Sequence, residues 1–107
     1  MGNDVIYTTD KFKLEKVLAD KSIPPGAKLI LLNLMYRTGL KNYAFPSQKK
    51  ISKDVGLKER QVRNHLNKLK NKGIISWSRK IVDPKTGKKI NSNTYDLSNI
   101  LRKTRKK

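Results

Sequence analysis

Side chains that can read the edges of DNA bases recur along the segment 58–71 at helical spacing. Arginine can donate two hydrogen bonds to guanine, and asparagine or glutamine can pair with adenine. This set differs from the lysines and glutamates of a generic solvated helix face, although simple solvation remains the alternative. The spacing predicts base contacts by five residues: Arg60, Gln61, Arg63, Asn64 and Asn67.

The opposite face of the same segment is apolar. Val62, Leu66 and Leu69 are spaced i, i+4, i+7, which is typical of an amphipathic helix that buries one stripe. If this stripe faces inward, the five polar residues face outward. His65 is the only histidine and lies at the edge of the stripe, which favours packing at the edge of the core over ligation or catalysis.

A second set of residues is suited to the phosphate backbone, where contacts position a protein without reading sequence. Three lysines lie on the preceding segment and three in a later turn, and a solvated surface is the alternative for each of them. The predicted backbone contacts are Ser47, Lys49, Lys50, Lys53, Lys58, Lys68, Lys85, Lys88 and Lys89.

The distribution of charge agrees with these two sets. The 107 residues carry a net charge of +18. Residues 1–40 hold 6 basic and 4 acidic side chains, whereas residues 41–72 and 73–107 each hold 10 basic and 2 acidic ones. Such an excess requires a polyanionic partner, and the candidates are nucleic acid, an anionic membrane or an acidic protein. The excess of positive charge is therefore in residues 41–107, which also contain all the predicted DNA contacts.

Other functional classes find little support in the composition. The chain has no cysteine, so a disulfide framework, a thiolate zinc site and a cysteine nucleophile are excluded. No carboxylate pair, metal cluster or catalytic triad is evident, so we expect no enzyme activity, no cofactor, no metal and no small-molecule substrate. No apolar run reaches the roughly 18 residues of a membrane span, and no secretory signal opens the chain. We expect a cytoplasmic protein without a membrane partner, and the oligomeric state stays open.

The elements that must position these side chains follow from periodicity and turn signals. Val5 to Tyr7 could form an edge strand, and a short helix is predicted from Thr9, which can cap it, with Phe12 and Leu18 among its apolar contacts. A central, most buried helix is predicted from Pro24-Pro25 to Gly39. The loop 40–46 follows, and its Tyr43 and Phe45 are expected to cover the core.

The second half of the chain begins with two helices close together. Pro46-Ser47 opens the first, with Ser47 as its cap, and Gly56 closes it. The second runs over 58–71 and ends before Gly73. Strands are then predicted around Trp77, which we assign to the core, and over 90–97, with a turn at 83–88. A short terminal helix from Leu97 to Leu101 is expected, followed by a mobile basic tail over 102–107.

The order helix, helix, tight turn, helix, hairpin is that of a winged helix-turn-helix. The predicted fold is therefore α+β, mostly helical, with a two-stranded β-hairpin wing. One domain over residues 1–101 and a tail over 102–107 are expected.

The segment 45–63, FPSQKKISKDVGLKERQVR, resembles the helix-turn-helix of plasmid and phage replication initiators and replisome organisers. The same module occurs in small bacterial transcription regulators and conjugation-plasmid DNA-binding proteins. The entry 25–29 (PGAKL), the exit 72–75 (KGII) and the segment 91–97 (NSNTYDL) match it too, so the resemblance covers roughly residues 22–100. The group usually has serine or threonine where Lys58 stands and a small residue where Ser52 stands.

The resemblance implies a protein that binds double-stranded DNA through a recognition helix in the major groove and a basic wing on the backbone. Plasmid or phage replication or transfer is the expected role, and transcriptional regulation is the alternative. A protein-interaction winged helix is a further alternative. Single-stranded nucleic-acid binding is disfavoured, because it needs exposed aromatic rings, and the sequence patterns assign Phe12, Tyr36, Phe45 and Trp77 mostly to the core.

Overall fold

The computed structural model describes residues 5–79 and 93–105. Within these ranges the chain forms short strands around a helical core, which confirms the α+β class. The elements in chain order are β1 (Val5–Thr9), α1 (Lys11–Ala19), α2 (Pro25–Thr38), β2 (Tyr43–Ala44), α3 (Gln48–Val55), α4 (Glu59–Asn71), β3 (Ser76–Arg79), β4 (Asn93–Asp96) and β5 (Leu101–Arg105).

Helix α2 is the centre of the core, as its continuous apolar pattern predicts. It begins at Pro25, whose fixed φ suits the first helical turn. Ala27, Ile30, Leu31 and Leu34 have no exposed surface. The helix packs against both α3 and α4, so it forms the base on which those two helices are oriented.

Helices α3 and α4 are joined by a tight turn whose geometry is local. The hydroxyl oxygen of Ser47 accepts a hydrogen bond from the backbone N–H of Lys50 at 3.0 Å, which confirms Ser47 as the cap of α3. Gly56 ends the helix in the left-handed region at φ +73°, where a side chain would be strained. The hydroxyl of Ser52 donates to the backbone carbonyl of Leu57. This hydrogen bond from the small residue at 52 stabilises the turn.

A three-stranded antiparallel sheet with the order β2-β4-β3 packs beside these helices. Strand β3 pairs with β4 from Ser76 opposite Asp96 to Arg79 opposite Asn93. This confirms two antiparallel strands after α4, whereas the turn predicted between them lies outside the described residues. Strand β2 pairs with β4 on the other side.

The two ends of the described chain differ from the prediction. The edge strand exists as β1, but Asp10 caps α1 instead of Thr9, and its carboxylate accepts from the N–H of Lys13 at 3.2 Å. The predicted terminal helix is wrong. Residues 97–100 form a turn, and β5 pairs antiparallel with β1, with Thr9 opposite Leu101. Residues 102–105 of the predicted mobile tail therefore belong to a strand.

Several aromatic side chains assigned to the core are instead exposed. Phe12 is 74% exposed, Tyr36 86% and Phe45 64%, and Tyr43 is also partly exposed. Leu18 likewise contributes less to the core than expected, since it is 40% exposed. In the loop before α3 it is Ala44 that is buried. The core of the described residues is almost entirely aliphatic, and Tyr95 is its one fully buried aromatic residue.

Candidate nucleic-acid interface

Helix α4 has the rotation that its sequence pattern predicts. Val62, Leu66 and Leu69 are fully buried against the core. The five residues predicted to contact bases all lie on the exposed remainder of this helix: Arg60, Gln61, Arg63, Asn64 and Asn67. Arg60 and Asn64 are one turn apart on the same side, because residues four apart are neighbours on a helix surface. The arrangement presents arginine and amide groups together at the first two turns of α4.

The start of α4 depends on one of these five residues. Lys58 is the N-cap residue, and an ammonium group has no lone pair with which to accept from the helix N–H groups. The side-chain oxygen of Gln61 instead accepts from the backbone N–H of Lys58 at 3.1 Å. This is the reciprocal half of a capping box. Only base contact was predicted for Gln61, although the residue three positions after the cap is the usual partner in a capping box.

The residues predicted to contact phosphates are distributed over several elements. Lys49, Lys50 and Lys53 are exposed on α3, and Lys58 and Lys68 are exposed at the two ends of α4. The first turn of α3 contains no acidic residue. The hydroxyl of Ser47 is partly committed to capping α3, which leaves it a proton to donate. Lys85, Lys88 and Lys89 lie outside the described residues.

The sequence model of a helix-turn-helix domain family matches residues 21–75, slightly more than half of the chain. The chain belongs to this helix-turn-helix domain family. The matched range runs from just before α2 to just before β3, so it contains α2, α3 and α4. No curated protein and no solved structure matches the chain. The family supports DNA as the partner of this helix-turn-helix domain.

An ion pair fastens the first helix of the helix-turn-helix to α2. Arg37 and Asp54 form a salt bridge, and the amide of Asn33 donates to the same carboxylate at 3.3 Å. Arg37 also donates to the side-chain oxygen of Asn33 at 3.2 Å. The hydrogen bond from Arg37, with that from Asn33, holds the pKa of Asp54 below its ordinary value. The pair neutralises an acidic group beside the lysines of α3.

The second helix of the helix-turn-helix packs on α2 through a histidine. An atom added at the Cβ position of Gly26 would lie 2.5 Å from Nε2 of His65 and 3.0 Å from its Cδ2. The imidazole therefore lies directly on the backbone of Gly26, and the prediction that His65 packs at the edge of the core is confirmed. Gly26 allows α2 and α4 to approach at this point.

The far end of α4 is linked to the sheet by an aromatic contact. The ammonium nitrogen of Lys70 lies 4.4 Å from the centre of the Trp77 ring, within the range of a cation–π interaction. Trp77 meets the ring of Tyr95 edge-on at 5.6 Å. Trp77 is half-buried against the core, as predicted. The helix-turn-helix and the sheet are thus joined on the side away from the start of α4.

Residues 5–79 and 93–105 contain no group of acidic or histidine side chains that could hold a metal ion. None of the helices in those two ranges has the length and apolar character needed to cross a membrane.

Proposed function

We propose that this protein binds double-stranded DNA by placing α4 in the major groove, with strands β3 and β4 as the stem of a wing. The observation that carries the proposal is the division of α4 into a buried stripe and an exposed face of arginine, glutamine and asparagine. A recognition helix of a helix-turn-helix reads bases with residues near its N-terminus. Arg60 and Asn64 lie in that part of α4.

The lysines of α3, together with Lys58 and Lys68, are proposed to contact phosphates on either side of the groove. The three lysines of the turn, Lys85, Lys88 and Lys89, are proposed to contact the backbone as the basic part of the wing. The absence of acidic residues from the first turn of α3 favours this approach, because the N-terminal end of a helix attracts phosphate.

The biological role that we propose is plasmid or phage replication or transfer, in a cytoplasmic protein without enzyme activity. Transcriptional regulation with the same binding mode is the second candidate. The resemblance of segment 45–63 to replication initiators supports the first role, and its occurrence in small regulators supports the second. Footprinting on DNA that flanks the gene of this protein would give the site and its symmetry, and would separate an origin from a promoter.

The base-reading proposal is tested by selecting bound duplexes from a random pool and repeating the selection with Asn64→Ala. Asn64 is exposed, so its truncation opens no cavity, and we expect thermal stability to remain nearly unchanged. Loss of a base contact costs about 1–3 kcal/mol and relaxes the preference at one position of the site. Binding to random duplexes should fall less, because lysine contacts dominate it.

Asn71→Ala is the matched control, because it removes the same side chain from the exposed last turn of the same helix. It should leave the selected site unchanged. Leu66→Ala checks the rotation of the helix, since it removes a buried side chain and should cost about 2–5 kcal/mol of stability. If Asn64→Ala and Asn71→Ala selected the same site as the unchanged protein, the proposed recognition face would be wrong.

A further inference from the structure

Tyr43 and Phe45 form an exposed pair of aromatic rings immediately before α3. Their ring planes are inclined by only 21°, and their centres lie 6.5 Å apart. Ala44 between them is buried, so alternation along the extended chain directs both rings outward. Phe45 keeps 64% of its surface exposed. Neither ring belongs to the hydrophobic core of the described residues.

A positively charged side chain, Lys41, lies beside the rings. The ammonium nitrogen of Lys41 lies 5.5 Å from the centre of the Tyr43 ring. Lys41, Tyr43 and Phe45 line a groove of about 350 Å³, near the lower end of the roughly 300–1,000 Å³ of small-ligand sites. Arg37 also borders this groove, but its guanidinium is paired with Asp54. Among the described residues that border the groove, Lys41 is therefore the cation without an acidic partner.

The position of the pair relates it to the helix-turn-helix. Phe45 is two residues before Ser47, the cap of α3, and Lys49 and Lys50 follow in the first turn of the helix. The opposite side of the pair is less favourable to an anion, because Asp96 lies directly across from Tyr43 in the neighbouring strand. A polyanion reaching the rings would consequently pass on the side of Lys41 and α3.

We infer that the Tyr43–Phe45 pair is a stacking site for unpaired bases of a DNA strand that continues from the bound duplex. Stacking on an aromatic face needs no particular base, because every base has a π face, and it combines with a nearby positive charge for the phosphates. Single-strand binding needs exposed aromatic rings, and Phe45 supplies one because it lies outside the core. The inference extends the proposed duplex binding and assigns a separate surface to the single strand.

The test measures the binding of three duplexes by fluorescence anisotropy. One duplex is blunt, one carries a single-stranded thymine arm, and one carries an arm of the same length made of abasic sites. The abasic arm keeps the phosphates but removes every base. We expect the thymine arm to increase affinity over the blunt duplex, and the abasic arm to give a distinctly smaller increase, because only the thymines can stack.

Phe45→Ala should reduce the thymine-arm affinity about tenfold, a value within the range for losing one stacked base. It should leave blunt-duplex affinity unchanged. Phe12→Ala is the matched control, because it removes the same ring from an exposed position on α1, and it should change neither affinity. Phe45→Leu keeps an apolar side chain without a π face, and it should behave like Phe45→Ala if stacking is the interaction.

Equal affinity for the thymine and abasic arms would overturn the inference, as would equal losses in Phe45→Ala and Phe12→Ala. Retention of full thymine-arm affinity by Phe45→Leu would overturn it as well. Thermal melts of each variant exclude unfolding as the cause, and the exposure of both phenylalanines means that no cavity is created. Failure of duplex binding itself would instead appear with the blunt duplex, so the two proposals fail separately.

Discussion

The side chain of Gln61 lies in the first turn of α4 and is exposed to solvent, yet it also accepts a hydrogen bond from the N–H of Lys58. Its oxygen is therefore engaged in holding the start of the helix, while its amide nitrogen can still donate to a base or a phosphate. Lys58 cannot supply the usual cap oxygen. Gln61 is thus a side chain that caps the helix and is also proposed to contact DNA.

Substitution of Gln61 is expected to separate these two roles. Gln61→Ala removes this acceptor and should lower the free energy of unfolding by about 0.5–1.5 kcal/mol, the net value of a typical hydrogen bond. Gln61→Glu keeps an acceptor and adds a negative charge at the helix N-terminus, where it is favourable. Its stability should equal or exceed that of the unchanged protein, whereas its DNA affinity should fall through repulsion by phosphate. Urea unfolding and duplex titration measure the two effects. Unchanged stability in Gln61→Ala would show that the cap contributes nothing.

At the scale of elements, two specific contacts with α2 add to the apolar packing that holds the helix-turn-helix. The Asp54–Arg37 ion pair joins α3 to α2, and the contact between His65 and Gly26 joins α4 to it. In each contact one residue lies on α2 and the other on α3 or α4. Each contact therefore depends on how that helix is oriented relative to α2.

Because Gly26 and His65 are in contact, the effect of Gly26→Ala on stability should change sign when His65 is replaced by alanine. Gly26→Ala places a methyl group against the far edge of the imidazole, which must shift, and should destabilise the protein by about 1 kcal/mol, the low end of the cost of overpacking. With His65→Ala in place the clash is gone, and alanine should then be the better helix residue by up to about 1 kcal/mol. Thermal or urea unfolding of the four proteins gives the coupling. Equal effects of Gly26→Ala in both backgrounds would contradict the contact.

The Asp54–Arg37 pair predicts a dependence of stability on pH in the acidic range. The pKa of Asp54 is lowered in the folded chain from its ordinary value of 3.8, chiefly by hydrogen bonds from Arg37 and Asn33. A lowered folded-state pKa means that the stabilisation is fully present above 3.8 and is lost as the pH falls through the folded-state value.

Asp54→Asn should remove this part of the pH dependence, while the part due to Asp20, whose pKa is also lowered, remains. Urea unfolding of both proteins across the acidic range measures the difference. Parallel stability curves for the two proteins would show that the pair does not contribute to acid stability.

At the scale of the whole molecule, the charge is divided between two parts of the chain. Residues 1–40 are nearly balanced, whereas residues 41–107 carry a net charge of +16. This second part contains α3, α4, strands β2 to β5 and all the residues proposed to contact DNA. The first part supplies the central helix α2, which supports the others. The division separates the supporting elements from the proposed binding surface.

Duplex affinity should therefore depend steeply on salt. With four to seven phosphates neutralised, a plot of log K against log salt should have a slope of about −4 to −6, because each contact releases a counterion. Replacing Lys85, Lys88 and Lys89 by alanine should make the slope shallower by up to about 3 and weaken all duplexes similarly.

The matched control replaces the three exposed lysines of α1, Lys11, Lys13 and Lys16, which lie outside the basic part of the chain. It should leave the slope nearly unchanged. Equal effects of the two triple variants, measured by fluorescence titration, would show that the interaction depends on total charge and not on a defined surface.

The sequence alone was sufficient for the helix-turn-helix and for the rotation of α4. The Ser47 cap and the Gly56 turn depend on residues a few positions apart, and the spacing of Val62, Leu66 and Leu69 within α4 marks the face that the core covers. Such local interactions are visible as spacing. The exposure of all five proposed base-reading residues follows from the same spacing, so this part of the candidate site could be predicted.

Only the tertiary structure decided which strands pair and which aromatic rings are exposed. The β1–β5 pairing joins Thr9 to Leu101, and no local pattern at 97–105 distinguishes that strand from the predicted helix and tail. Around β2, alternation shows that Tyr43 and Phe45 share one face, but it does not show which face is inward. The pairing of β2 with β4 buries Ala44 and leaves the rings outside. The physical reason is that burial in a short strand is set by what packs against it from elsewhere in the chain.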